Sequence, residues 1–296
     1  MIPIRDDNPT SRTAWVTLAI IALNVAAFLF WEPTFAGSGQ PAQVRQETFF
    51  FCHAVIPWEV VHHTNLAQGR EAARQAMVSL AGSPSAAREF QQFLGDQCPH
   101  KNWLFSIFTA MFLHAGWLHI GGNMLFLWVF GNNVEDKIKT IPYFLFYLAS
   151  GIVATAVQVA LIHTGANAVL PNLGASGAIA GVLGAYLLMF PRRRVLTLVF
   201  FFFITFVYLP AFVVLGLWFV LQAFSGAAAL SSRVNVGGGV AVWAHIGGFA
   251  FGSLMALLFF PKERFGALPP PRRPDVWGRS GWGGWRRRPP PPPDTF

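Results

Sequence analysis

Within the apolar part of this 296-residue chain, few side chains could do chemistry: Asn24, His114, His119, Asn123, Ser176, Gln222 and His245. Polar groups are costly at membrane depth, which makes each of them a candidate for function. Ser176 lies in an apolar, small-residue stretch from Leu173 to Tyr186, LGASGAIAGVLGAY. Gly177, Gly181 and Gly184 fall on one face of a helix there, the pattern that lets membrane helices approach backbone to backbone. Far downstream, Trp243 to Gly252 (WAHIGGFAFG) carries His245, Gly248 and Gly252 at helical spacing. If the two small faces meet, Ser176 and His245 meet. A serine becomes a nucleophile when a base takes its proton, and a histidine on a packed neighbour can do that. The intermediate of acyl transfer then needs donors for its oxyanion. His119 and Asn123 are four residues apart and share a helix face, where they offer an imidazole N–H and an amide NH₂.

The acids are informative by their scarcity. Between Trp103 and Phe260 there are only Glu135 and Asp136, both beside a charged turn. That excludes a membrane aspartyl protease, which needs two buried carboxylates, and a carboxylate relay for proton-driven transport. The absence of an HExxH pattern leaves a zinc protease without support, and neither a metal nor another cofactor is expected. A Ser–His pair here would be a dyad with no third member. Taken singly, each residue also has a plain reading. A membrane serine commonly bonds a carbonyl of its own helix, a histidine can be an interhelical hydrogen bond, and Asn24, Asn123 and Gln222 can simply join helices. The conjunction of the residues is what favours chemistry.

The elements that must position them are membrane helices. Hydrophobic residues make up 54% of the chain and charged ones 11%, and several segments approach the roughly 20 apolar residues that cross a bilayer. Residues 1–12 form a polar lead, and the first span occupies residues 13–31, stopped by Glu32-Pro33. Residues 32–102 form a long extramembrane insert with helical patterns over Leu66–Leu80 and from Ser83-Pro84, where serine is an N-cap and proline the first helical residue. Residues 103–260 hold five further spans. In the first of these, Gly116 separates a short leading helix from the span proper. Val195 to Phe224 is longer than one crossing needs, so the last part of it, from Pro210, is taken as the fifth span, with Phe200–Phe203 at the interface. Residues 261–296 are rich in Pro, Arg and Trp and are expected to be disordered. Arg286–Arg288 with Trp277, Trp282 and Trp285 either meet anionic lipid headgroups or are simply solvated.

The formal net charge of +8 follows the positive-inside bias and implies no nucleic-acid partner. Lys137 and Lys139, the Pro191–Arg194 turn and the basic tail are alternate connections, so both termini are expected in the cytoplasm and the 32–102 insert outside. Ser176 then lies about 24 Å along the helix from Arg192, within reach of water from the outer face. Cys52 and Cys98 share the insert. They form a disulfide if that compartment is oxidising, and are two free thiols otherwise. His53, His62, His63 and His100 are spaced too irregularly for a metal site and are read as solvated.

Gly174-Ala-Ser-Gly177, Ala244-His245-Ile-Gly-Gly248 with Gly252, and His114-x4-His119-x3-Asn123 together resemble the rhomboid intramembrane serine proteases. The order of the motifs and Gly131-Asn-Asn-Val-Glu135 after the second span are similar to that family as well, over about residues 10–260. The resemblance implies an all-α polytopic membrane protein, a bundle of six transmembrane helices. It makes Ser176 the nucleophile and His245 the general base. His119, Asn123 and the backbone N–H at Ser176 line the oxyanion hole, Gly174 belongs to the same motif, His114 lies near the site, and Glu135 is structural. The implied activity is cleavage of membrane-protein substrates within or beside a transmembrane segment, with the lipid bilayer as the other partner. A non-catalytic relative that binds transmembrane clients is the alternative. The chain departs from the family in three ways. Ala180 stands where many members stack an aromatic on the histidine, so His245 is held either less firmly or by a residue such as Trp243 or Phe249. Trp58 is followed by Glu59 where a Trp-Arg pair is common, and the 32–102 insert is enlarged. The lack of an organellar targeting segment points to a bacterial inner membrane.

Overall fold

A computed structural model describes residues 1–33, 40–200, 204–231 and 241–260. The expected disordered tail over 261–296 lies outside the described residues, as do 34–39, 232–240 and 201–203, the last being most of the Phe200–Phe203 run expected at the interface. The chain opens with strand β1 (Ile2–Asp6), then helix α1 (Trp15–Ala26) continued by a π-helical turn over Ala27–Trp31. The insert contributes α2 (Gln40–His53), α3 (Pro57–His62), α4 (Arg70–Ala81) and α5 (Pro84–Gln97). Next come α6 (Trp103–Thr109), a 3₁₀ turn over Ala110–Phe112, α7 (Trp117–Phe126), a π-helical turn over Leu127–Gly131, and α8 (Asn132–Ile138). Helix α9 (Thr140–Leu161) leads through a 3₁₀ turn, Ala166–Val169, to α10 (Ser176–Met189). Strands β2 (Arg194–Phe200) and β3 (Ile204–Pro210) precede α11 (Ala211–Ser231), and α12 (Val242–Phe259) completes the described chain.

The fold is mostly helical, but it is not all-α. The three strands form an antiparallel sheet in the order β1-β2-β3. Within the apolar run from Val195, the strands Arg194–Phe200 and Ile204–Pro210 pair antiparallel, because β-branched and aromatic residues fit a pleated surface while Pro210 ends the second strand. Leu198 of β2 pairs with Ile2, so the polar lead is a strand as well. Helix α11 begins directly after Pro210.

Among the described residues, α9 and α12 are long and apolar enough to cross a bilayer. The pair 103–112 and 117–138 also qualifies if taken as one span, bent by 79° at residues 113–116. Trp15–Trp31, Ser176–Met189 and Ala211–Ser225 are shorter apolar helices. Helix α10 sits at the centre. Every residue from Gly177 to Tyr186 is buried, as suits a helix that is apolar all round. A Cβ at Gly248 would run into the carbonyl of Gly177, one at Gly252 into that of Gly181, and one at Gly184 into that of Phe249. The α10–α12 joint is therefore backbone on backbone.

Polar contacts fasten the end opposite Ser176. Glu135 accepts from Val16 N (3.0 Å), Thr17 N (2.8 Å) and Thr17 Oγ1 (2.8 Å), so a carboxylate caps the first turn of α1, where helix N–H groups lack partners. Asp6 Oδ2 accepts from Tyr186 Oη (2.6 Å) and Asn133 Nδ2 (2.8 Å), tying β1 to α10 and α8. Burial lifts its carboxyl to about 6.

The insert has a core of its own, in which Trp58, Leu66, Met77 and Leu94 pack with Ala168 and Val169 of the turn before α10. Ser83 caps α5 by accepting from Ala86 N (3.2 Å). Cys52 and Cys98 are joined as a disulfide. Glu59 and Lys101 form a buried ion pair at 2.7 Å, in which Lys101 also donates to the Phe51 carbonyl (2.6 Å) and Glu59 accepts from Leu66 N (2.8 Å). Val55 bridges Asn172 in antiparallel fashion, which ties the insert to the segment that delivers Ser176.

Candidate active site

Ser176 is the first residue of α10 and His245 lies in the first turn of α12. The glycine contacts between the two helices fix their register. Ser176 Oγ and His245 Nε2 come to 2.7 Å, close enough for the hydroxyl to donate its proton directly. His245 is buried and Ser176 half-buried. Because Ser176 heads its helix, its N–H is among those with no acceptor inside the helix, and it sits at the positive end of the helix dipole.

Gly174, at φ +122°, makes the turn into α10. A Cβ there would meet His119 Nε2 at 2.9 Å and Ser176 Oγ at 3.5 Å, so this glycine is needed both for its backbone conformation and for the space between those groups. His119 Nδ1 lies 3.3 Å from the N–H of Ala115 and accepts from it. A neutral imidazole has one donor and one acceptor nitrogen, so the proton of His119 is on Nε2, the nitrogen that faces Gly174 and Ser176. Asn123 lines the same cavity and donates through Nδ2 to the His119 carbonyl (3.0 Å), leaving its second amide hydrogen free of that bond.

His114 does not offer a ring nitrogen to the pair. It is fully buried with both ring nitrogens unbonded. It packs edge-on to His119, with centroids 5.1 Å apart, and its backbone N–H donates to Glu32 Oε1 (3.0 Å). Glu32, read from sequence only as a helix stop, thus anchors the bend before His119.

No acid meets the pair among the described residues, but His245 has a second polar neighbour, Gln222. Its Oε1 lies 2.8 Å from His245 Nδ1, a bond that depends on how α11 is rotated against α12, which sequence spacing does not reveal. Neither Trp243 nor Phe249 stacks on His245. Trp243 Nε1 is buried without a partner, and Phe249 stacks on Phe219 (4.6 Å). The ring beside His245 is Trp218, at 5.8 Å and 41°. Ala180 lies under Gly248, where a larger side chain would press on the α10–α12 joint.

A cavity of about 610 Å³ opens on Ser176, His245, His119 and Asn123, with Leu118, Phe126, Leu183 and Trp218 among its apolar walls. A smaller one of about 40 Å³ borders Ser176 together with Gln158 and Asn172. Gln158 accepts from Ala244 N (3.2 Å) and donates to Asn172 (3.3 Å). Gln158 sits in an apolar stretch with no motif around it, so sequence alone does not single it out. The loop histidines lie apart from the site. His53 Nδ1 bonds the Phe49 carbonyl (2.9 Å), and His62 bonds the Trp58 carbonyl (2.8 Å) and stacks on that ring.

A half-buried serine and a buried histidine thus meet on a glycine-packed helix core, with a second histidine facing them. The chain matches the Rhomboid domain over residues 101–262, more than half its length, and belongs to that family of integral membrane proteins. It is 31% identical to the mitochondrial rhomboid protein 1 of Saccharomyces cerevisiae over 140 residues, 47% of this chain and 40% of that protein. It is 29% identical to RHOMBOID-like protein 1 of Arabidopsis thaliana over 176 residues, 59% of this chain and 39% of that one. It is 26% identical to the mitochondrial presenilin-associated rhomboid-like protein of Homo sapiens over 178 residues, 57% and 41% of the two chains. The chain thus spans well under two thirds of the length of these relatives.

Proposed function

We propose that this protein is an intramembrane serine endopeptidase that cleaves other membrane proteins within or beside a transmembrane segment. The observation that carries the reading is the 2.7 Å approach of Ser176 Oγ to His245 Nε2 beside an apolar cavity. Ser176 Oγ attacks the scissile carbonyl as its proton passes to His245 Nε2. The oxyanion is held by the Ser176 backbone N–H and the Nε2–H of His119, with Asn123 beside them. His245 then returns the proton to the leaving amine, and an acyl group remains on Ser176. Water activated by the same histidine releases it. The small cavity beside Gln158 has room for one water molecule.

The membrane arrangement belongs to the same proposal. Helix α1, the bent α6–α8 segment, α9, α10, α11 and α12 act as six spans, with both termini on the cytoplasmic side of a bacterial inner membrane and the insert on the other. The test is cleavage of a generic transmembrane reporter in proteoliposomes, together with labelling by a serine-directed fluorophosphonate. Wild type should cleave and label, while Ser176→Ala and His245→Ala should do neither although they melt normally. Equal labelling of wild type and Ser176→Ala would contradict the reading. A wild type that is inert yet captures transmembrane clients would point to a binding role.

A further inference from the structure

The hydrogen bond from Ser176 to His245 continues on the far side of the ring, where His245 Nδ1 meets Gln222 Oε1 at 2.8 Å. We propose that Gln222 is the positioning residue of the base: it fixes the tautomer and orientation of His245, and it makes the competence of the base depend on the seating of α11. This rests on the protease reading above.

To receive the serine proton, His245 needs its lone pair on Nε2, so Nδ1 must carry the hydrogen and must find an acceptor. An amide oxygen can only accept, and Gln222 presents its oxygen. An amide turned to present its NH₂ would push the hydrogen onto Nε2, and the imidazole could not serve as base toward Ser176. Among the described residues, the ring's neighbours on α12 include Gly247 and Gly248, and Ala180 of α10 lies against Gly248. His119, across the cavity, is the titratable group that faces the ring.

Gln222 also shares its helix face with Trp218, one turn earlier. Trp218 walls the cavity and lies 5.8 Å from the imidazole. A single face of α11 thus meets whatever enters the cavity and orients the base. Helix α12 meets α10 through backbone, whereas it meets α11 through Trp218, Phe219 and Gln222. A shift of α11 is therefore passed to His245 while the α10–α12 joint stays closed.

The test uses the full chain in proteoliposomes with Gln222→Leu and Gln222→Glu, measuring reporter cleavage and fluorophosphonate labelling across a pH series. Gln222→Leu should lower kcat about 10- to 100-fold, the range found when a metal-bound histidine loses its outer partner, with KM little changed. Gln222→Glu restores an acceptor and adds a charge that favours the imidazolium. It should recover activity at alkaline pH and move the acid limb of kcat/KM upward by about one pH unit or more. Wild-type kcat in a folded Gln222→Leu, or an unmoved acid limb in Gln222→Glu, would overturn the inference alone. Wild type that neither cleaves nor labels would overturn the protease reading and this inference with it. Should Gln222→Leu fail to fold, the acid limb of Gln222→Glu decides.

Discussion

His119 and His245 line one cavity, and the proposed role of Gln222 sets them in opposite tautomers. Ala115 presents an N–H to Nδ1 of His119, which leaves that ring a donor at Nε2. Gln222 presents an oxygen to Nδ1 of His245, which leaves that ring an acceptor at Nε2. In the proposed reaction the same residue type thereby supplies a proton acceptor and a hydrogen-bond donor on either side of Ser176, and neighbours rather than charge make the difference. Away from this cavity, Asp6 shows what a buried acid does at the other end of α10. Its pKa is raised from 3.8 to about 6 by burial, against the lowering effect of the Tyr186 bond. The folded state therefore holds the proton more tightly than the unfolded chain. The stability this confers is complete below about pH 4 and is lost as pH rises through about 6. Both Tyr186 and Asn133 donate to one oxygen of Asp6, so the amide of Asp6→Asn can still serve them. That variant should melt at the wild-type temperature in acid and a few degrees higher at alkaline pH, as read by thermal unfolding in detergent.

Among the elements, the joint between α10 and α12 decides the geometry of the site. Gly252→Ala would drive a methyl group into the Gly181 carbonyl and push the helices apart, an overpacking cost of about 1–3 kcal/mol. It should lower both the melting temperature and the rate of Ser176 labelling. Gly216→Ala on α11 meets open space and should do neither. This joint was legible in the sequence, because small residues at helical spacing on two segments specify which faces meet and so bring Ser176 to His245. Gln222 was not legible, since its partner depends on the rotation of a helix that packs through large side chains. The β2–β3 hairpin was hidden for another reason. Phe206 and Tyr208 on one face and Val207 on the other are all exposed, so the strand lacks the apolar–polar alternation that would separate it from a membrane span. The break near Gly116 and the Ser83 cap, which depend on local residue chemistry, stand where the sequence placed them.

At the scale of the whole molecule, the insert and the helical bundle are joined through the segment before α10. Val55 pairs with Asn172, and the core of the insert includes Ala168 and Val169. The Cys52–Cys98 disulfide closes a separation of 46 residues, for which chain entropy gives about 4 kcal/mol. Reduction should raise hydrogen exchange across α3, α4 and α5 while α10 and α12 remain protected, as hydrogen-exchange mass spectrometry with and without reductant would show. The same long reach across the chain appears in the sheet. Strand β1 is synthesised before any of the helices, yet its partner is β2, which follows α10. During biosynthesis the strand must therefore wait, unpaired, until Leu198 has left the ribosome. Strand β1 is then added beside a central helix that has already been made, while α11 and α12 are still to come.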